Sequence, residues 1–222
     1  MECMIHACED RMWYVENYLV PSLQEQGIDS TVWCDNGEGS LKAYIKAFHS
    51  LSYSGYTWHL QDDVIVCSDF KNRCEAIGEN HIACGFYSRY DEKDRHTKSG
   101  LVSEEEMWYS FPCIGIPNII ASDFADWLLR DEVQNKYQAY IQHNKYIDML
   151  FRFYAVEFLG GAIVMNVKPN LVDHIDYLIG GSKINSQRDK LVTSIYFEEK
   201  NLIEDLSRKL KIASLQEDAN ML

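Results

Sequence analysis

Proline, long apolar runs and low-complexity tracts are scarce or missing in this sequence. Four of the 222 residues are proline, and no apolar stretch approaches the roughly 20 residues that a membrane-spanning helix needs. We find no internal repeat, no linker rich in Pro, Gly or Ser, and no basic segment followed by the hydrophobic stretch of a secretory signal. These absences exclude a membrane span and favour a cytosolic globular protein.

Paired cysteines are also missing. The seven cysteines are an odd number, form no Cys-x-x-Cys motif and lie mostly in apolar segments, where free cysteine packs as a small hydrophobe. The pattern argues against a zinc site and against a disulfide scaffold.

Basic residues are outnumbered. The 21 Lys and Arg residues against 34 Asp and Glu residues give a formal charge of −13, which disfavours a general polyanion-binding surface but not a local basic groove. An acidic protein that binds an anionic nucleotide would need a divalent cation between the two, and solubility alone would also explain the charge.

Hydrophobic periodicity predicts an α/β domain with one core. Strands are expected at 4–8, 31–34 and 57–66, separated by a helix through Met12, Val15, Leu19 and Leu23, kinked or ended at Pro21, and by a helix over 40–52. Strands that alternate with helices in this way form a mainly parallel, Rossmann-like sheet with helices on its faces.

Later segments continue the pattern. Strands are expected at 81–87, at 114–120 as an edge strand and at 162–167, with a long polar loop over 88–106. Ser122 is expected to cap a helix, Asp148 to lie in the first turn of another, and Leu202, Leu206 and Leu210 to stripe a C-terminal helix.

Two adjacent carboxylates, Asp62 and Asp63, interrupt the third predicted strand. Because alternate side chains of a strand point to opposite faces, an Asp-Asp pair inside a buried strand would place one charge in the core. We therefore expect the pair at the end of the strand. Two carboxylates there could form an oxygen-rich site for Mg²⁺ or Mn²⁺, or a solvated turn.

Other polar clusters follow the predicted strands. Residues 6–11 lie at the end of the first predicted strand and residues 35–40 follow the second, and ligands of open α/β sheets bind at the carboxyl ends of strands. His174 lies between Asp173 and Asp176, ahead of a Gly-Gly-Ser segment whose backbone N–H groups could approach phosphate. We expect residues 6–11, residues 35–40 and the Asp62-Asp63 pair to converge on one cleft.

The sequence resembles the GT-A type glycosyltransferases, in small bacterial or phage-like forms. The resemblance rests on Trp58-His59-Leu60-Gln61-Asp62-Asp63-Val64, on the helix before it, and on Pro169-Asn170-Leu171-Val172-Asp173-His174. It implies one GT-A-like domain over 1–222. Within that domain, 1–87 would be the nucleotide-binding half, 88–182 the acceptor side and 183–222 a C-terminal extension.

The resemblance also implies roles for individual residues. Asp63 and His174 would bind Mn²⁺ or Mg²⁺, although Gln-Asp-Asp in place of Asp-x-Asp leaves open which carboxylate binds directly. Asp148 would be the catalytic base or an acceptor contact. The remaining residues would contact the nucleotide sugar: Ala7, Glu9, Arg11, Asp35, Asn36, Asp62, Gly181 and Ser182.

The implied activity is metal-dependent transfer of a sugar, with UDP-sugars favoured, to an acceptor hydroxyl. The acceptor could be a glycan, a lipid-linked sugar, a protein or a hydroxymethylated DNA base. Trp108, Tyr109 and Trp127 could stack on sugar rings. The alternatives are a metal-dependent nucleotidyltransferase or phosphohydrolase, and a module that binds nucleotide sugars without turnover.

Overall fold

The computed structural model describes residues 1–79, 81–86, 100–102, 111–143, 147–160, 164–167, 169–180 and 197–220, with backbone alone for 100–102, 164–166 and 213–220. The strands are β1 (Glu2–Ala7), β2 (Ser30–Cys34), β3 (Tyr56–Gln61), β4 (Val64–Val66), β5 (Ile82–Cys84), β6 (Gly100–Val102), β7 (Cys113–Pro117), β8 (Val164–Asn166) and β9 (Val172–His174). The α-helices are α1 (Met12–Tyr14), α2 (Val20–Glu25), α3 (Ser40–Ser50), α4 (Phe70–Ile77), α5 (Asn118–Leu128), α6 (Asp131–Lys136), α7 (Gln138–Gln142), α8 (Ile147–Phe158) and α9 (Lys200–Asn220). No helix in these described ranges is both long and apolar enough to cross a membrane.

A seven-stranded central sheet has the order β2-β1-β3-β7-β5-β8-β6. The first three strands pair in parallel, as predicted, whereas β7 and β6 run antiparallel to their neighbours. Because β5 and β8 are parallel to each other and β5 is antiparallel to β7, five of the strands described here share one direction. The predicted fold class, an α/β sheet flanked by helices with a C-terminal helix, is confirmed.

Both faces of the sheet are buried. In β3, Trp58 and Leu60 face the core on one side, while Thr57 and His59 face the opposite layer, as the two-residue period of a strand requires. This burial on both faces explains why β1 and β3 are apolar almost throughout instead of alternating with polar residues.

Each face is covered by helices. Leu19 and Leu23 of the first helical segment and Ile203 and Leu206 of α9 pack on one side. The aromatic side chains of α3, α5 and α8 fill the other side: Tyr44, Phe48, Phe124, Trp127, Phe151 and Tyr154. The sheet is therefore the shared middle layer of two hydrophobic cores.

The prediction of an edge strand over 114–120 was wrong. Strand β7 lies between β3 and β5, and the chain turns into α5 already at Asn118. Asn118 stabilises the turn because its side chain accepts a hydrogen bond from Thr57 Oγ1 at 2.7 Å and donates one to the Ser52 carbonyl at 3.0 Å. Ser122 consequently lies inside α5 and does not cap it.

Two further local predictions need correction. Of the two outcomes predicted at Pro21, a kink or an end, the helix does not end there. A π-helical segment (Val15–Leu19) leads into α2, and Pro21 lies in the first turn of α2, where a residue with no N–H is tolerated. The predicted polar loop 88–106 contains β6 (Gly100–Val102), and the rest of that loop lies outside the described residues.

Candidate functional site

Asp62 and Asp63 form the turn between β3 and β4, directly at the carboxyl end of β3. The end of β1 lies beside them, since the backbone N–H of Cys8 donates to Asp62 Oδ2 at 2.7 Å. The end of β2 is next to β1, with the Asp35 N–H donating to the Ala7 carbonyl at 2.9 Å. The three polar clusters therefore meet at one edge of the sheet.

Arg11 lies between the two aspartates. Its Nη1 is 2.8 Å from Asp62 Oδ1 and 2.6 Å from Asp63 Oδ2. All three side chains are nearly covered, with residue exposures of 4% for Arg11, 6% for Asp62 and 7% for Asp63. The short 3₁₀ turn Glu9–Arg11, which follows β1, aims the guanidinium at the pair.

His174 reaches the same pair from late in the chain. Strand β9 pairs with β4 and places His174 opposite Val64. The imidazole Nε2 is 3.1 Å from Asp63 Oδ2, and Nδ1 is 3.4 Å from Asp176 Oδ1. The Ile175 N–H also donates to the Asp63 carbonyl at 2.8 Å, so backbone and side chain both fix this approach.

The charges of the cluster are strongly coupled. Burial alone would raise the pKa of Asp63, but His174 and Arg11 outweigh it and hold that pKa at about 2. Burial likewise favours a neutral imidazole, yet Asp63 and Asp176 raise the pKa of His174 to about 10. Burial and the neighbouring Asp63 raise the pKa of Asp62, despite Arg11.

The cluster offers potential ligands for a divalent cation. Asp63 Oδ1 is buried and has no hydrogen-bond partner among the described residues, which leaves one carboxylate oxygen available. A carboxylate oxygen beside an imidazole nitrogen suits Mn²⁺ better than Mg²⁺, which prefers oxygen ligands alone. Metal-binding histidines commonly donate a hydrogen bond from their second ring nitrogen to a carboxylate. Asp176 would be that carboxylate for His174.

A second set of potential ligands lies beyond the end of β4. Ligand atoms of Cys67, Asp69 and Glu199 lie within 4.8 Å of one another, beside a cavity of about 370 Å³. Sequence reasoning missed this set because Glu199 is distant in the chain and because the cysteines were taken to be purely structural.

The other predicted residues are distributed around the edge. Glu9 is exposed in its 3₁₀ turn, and Asp35 Oδ1 accepts a hydrogen bond from the Gly37 N–H at 3.0 Å across Asn36, which has a φ of 48°. Asp148 lies in the first turn of α8, where its Oδ1 accepts a hydrogen bond from the Met149 N–H at 2.8 Å. Gly181 and Ser182 lie outside the described residues.

Two aromatic predictions fall outside the described residues as well, namely Trp108 and Tyr109. Trp127 is fully buried and stacks on Phe124, with ring centroids 6.0 Å apart. It is a core residue and cannot stack on a sugar.

Tyr44 and His6 are site neighbours that the sequence analysis did not single out as ligands. Their rings stack with centroids 3.9 Å apart, and His6 Nε2 lies 2.9 Å from His59 Nδ1. Because side chains alternate along a strand, the sequence predicts that His6 and Ala7 point to opposite faces of the sheet. It does not predict that a tyrosine of α3 covers His6.

No family model and no curated protein matches the sequence. Among solved structures, the galactosyltransferase LgtC in complex with donor and acceptor sugar analogs matches with a TM-score of 0.47 and 11% identity, covering 76% of this chain and 73% of that chain. A197 from STIV matches with a TM-score of 0.44 and 12% identity, covering 79% and 86%. Both TM-scores are below 0.5, so function has to be inferred from the residues of the site.

Proposed function

We propose that this protein is a metal-dependent glycosyltransferase that transfers a sugar from a nucleoside-diphosphate sugar, with UDP-sugars favoured, to an acceptor hydroxyl. The observation that carries the proposal is the meeting of Asp62-Asp63 with His174 at the carboxyl edge of a parallel β1-β2-β3 unit. The sequence resemblance described above, which covers the same residues, supports the same activity.

In this proposal Asp63 and His174 hold Mn²⁺ or Mg²⁺, and Asp176 orients His174. A divalent cation bound there would neutralise the charge that develops on the departing nucleoside diphosphate. Asp62, whose Oδ2 is fixed by the Cys8 N–H, would contact the ribose or a water of the site.

The remaining donor contacts come from the strand-end loops. Ala7 and Asp35 are joined by a backbone hydrogen bond and would flank the base and ribose together with Glu9 and Asn36. Gly181 and Ser182 would contact the phosphates through backbone N–H groups and a hydroxyl.

Asp148 is proposed as the base that takes the acceptor proton, or as an acceptor contact. Its Oδ1 accepts a hydrogen bond from the Met149 N–H at 2.8 Å in the first turn of α8. A glycan, a lipid-linked sugar, a protein or a hydroxymethylated DNA base would each supply the required hydroxyl.

The test is calorimetric titration of UDP in the presence of Mn²⁺. Asp63→Asn should remove Mn²⁺-dependent UDP binding, whereas His174→Ala should weaken it about ten- to hundredfold, because water can replace one ligand. Asp126→Asn, on the exposed surface of α5, is the matched control and should bind as the wild type does. Unchanged binding in Asp63→Asn, with the fold verified by circular dichroism, would refute the site.

Product analysis then separates the enzyme classes. Mass spectrometry of a nucleotide-sugar panel should show nucleoside diphosphate and free sugar from slow donor hydrolysis. Release of pyrophosphate would instead identify a nucleotidyltransferase, and binding without any product would identify a non-catalytic module.

A further inference from the structure

A cation is already bound between Asp62 and Asp63, namely the guanidinium of Arg11. One nitrogen of that group, Nη1, bonds an oxygen of each aspartate, at 2.8 and 2.6 Å. The Cys8 N–H occupies the other oxygen of Asp62, and His174 shares Asp63 Oδ2. Arg11 therefore occupies the place between the carboxylates where a bridging cation would bind.

A divalent ion and this guanidinium would compete. Asp62 and Asp63 supply two carboxylates, and the guanidinium of Arg11 already pairs with both of them. Two cations held by the same pair of buried carboxylates repel each other strongly where little water screens them. Metal bound without any other change would leave Arg11 buried beside a second positive charge.

A diphosphate offers Arg11 another partner. Guanidinium groups bind phosphate oxygens in a bidentate manner, and Arg11 lies in a short turn at the end of β1, where the proposed function places the donor. Arg11 is 4% exposed, so its guanidinium would leave a covered position to reach a phosphate.

We propose that Arg11 is a resident counter-cation. It occupies the aspartate pair until a divalent ion and a nucleoside diphosphate bind together, and then pairs with a phosphate. The inference rests on the proposed function and predicts a specific coupling, in which metal and diphosphate each bind weakly alone and strengthen each other's binding.

Arg11→Gln tests this inference. We would measure free Mn²⁺ by electron paramagnetic resonance, without and with UDP, and follow melting with and without Mn²⁺. In the wild type, UDP should raise Mn²⁺ affinity about tenfold or more, within the usual range of such couplings. In Arg11→Gln, Mn²⁺ alone should bind about tenfold more tightly and UDP should add little. Mn²⁺ should also raise the melting temperature of the variant more than that of the wild type.

Two controls keep the result interpretable. Arg130→Gln removes an exposed arginine that stacks on Phe158 and should retain the wild-type coupling. Arg11→Lys keeps the positive charge but lacks the planar, forked N–H donors of a guanidinium. Because the charge still occupies the aspartate pair, this variant should retain weak Mn²⁺ binding in the absence of UDP. If Arg11→Gln is unfolded without metal, rescue of its fold by Mn²⁺ supports the proposal, and failure of rescue contradicts it.

The outcomes separate the two proposals. If the wild type binds Mn²⁺ and UDP through Asp63 but Arg11→Gln shows the same Mn²⁺ affinity and coupling, the counter-cation role is overturned and the proposed function stands. If the wild type binds neither ligand, both are overturned.

Discussion

At the scale of single residues, the aspartate pair was predictable and its partner was not. Two adjacent carboxylates cannot both remain in a buried strand, so their place at the end of β3 followed from the sequence. Arg11 was expected near the nucleotide, yet in the structure its guanidinium bridges Asp62 and Asp63. The backbone pattern fixes where the loop after β1 lies, but the direction of a long side chain depends on contacts between distant residues.

His6 and His59 form a buried pair that should control acid stability. Burial lowers the pKa of His59 to about 3 and that of His6 well below its usual range. Below pH 6.5 the unfolded chain binds protons that the folded protein does not, so stability should fall as the pH drops from 6.5 toward 3.

His59→Leu should make this fall shallower. Each buried neutral histidine contributes at most about 1.4 kcal/mol per pH unit to the slope. Urea unfolding at several pH values between 7 and 4 measures the slope of the free energy of unfolding against pH. A slope in His59→Leu equal to that of the wild type would show that His59 does not cause the acid destabilisation.

At the scale of elements, hydrophobic periodicity predicted the βαβαβ order of the first half of the chain. It also predicted the two helical segments that connect these strands and cover the sheet. The position of β7 did not, because Gly115 and Pro117 within an apolar run are typical of an edge strand, whereas β7 is central. The pairing of β4 with β9 was also unpredictable, since three-residue strands far apart in the sequence leave no periodic signal.

Gly115 shows why β7 contains a glycine. A methyl group there would lie 2.8 and 2.9 Å from ring carbons of Tyr56, and closer still to its hydroxyl. The Tyr56 hydroxyl donates to the His81 carbonyl at 2.9 Å, so the ring cannot move without losing that bond.

Gly115→Ala should therefore destabilise the protein by about 1–3 kcal/mol, the usual range for overpacking a core. In a Tyr56→Ala background the same change should have little effect, because the obstructing ring is gone. Denaturant titration of the four proteins measures this coupling. Equal losses in both backgrounds would show that the ring is not the cause.

At the scale of the whole molecule, the two hydrophobic cores share the central sheet. Leu19 belongs to the core on one face and Phe151 to the core on the other. A chain with this arrangement should unfold as one unit, as the predicted single domain over 1–222 requires.

Leu19→Ala and Phe151→Ala test this prediction. Each removes a fully buried side chain and should lower the free energy of unfolding by about 2–5 kcal/mol. Both should shift one common transition, observed by near-ultraviolet and far-ultraviolet circular dichroism. Two separate transitions, each sensitive to one substitution, would instead indicate two independent domains.

The pairing of β4 with β9 also has a consequence for synthesis. Arg11, Asp62 and Asp63 leave the ribosome early, whereas His174 follows only after most of the chain has been made. Until β9 has been made, Arg11 can pair with the aspartates and His174 cannot. During synthesis the arginine is thus the earlier of the two cationic partners of the aspartate pair.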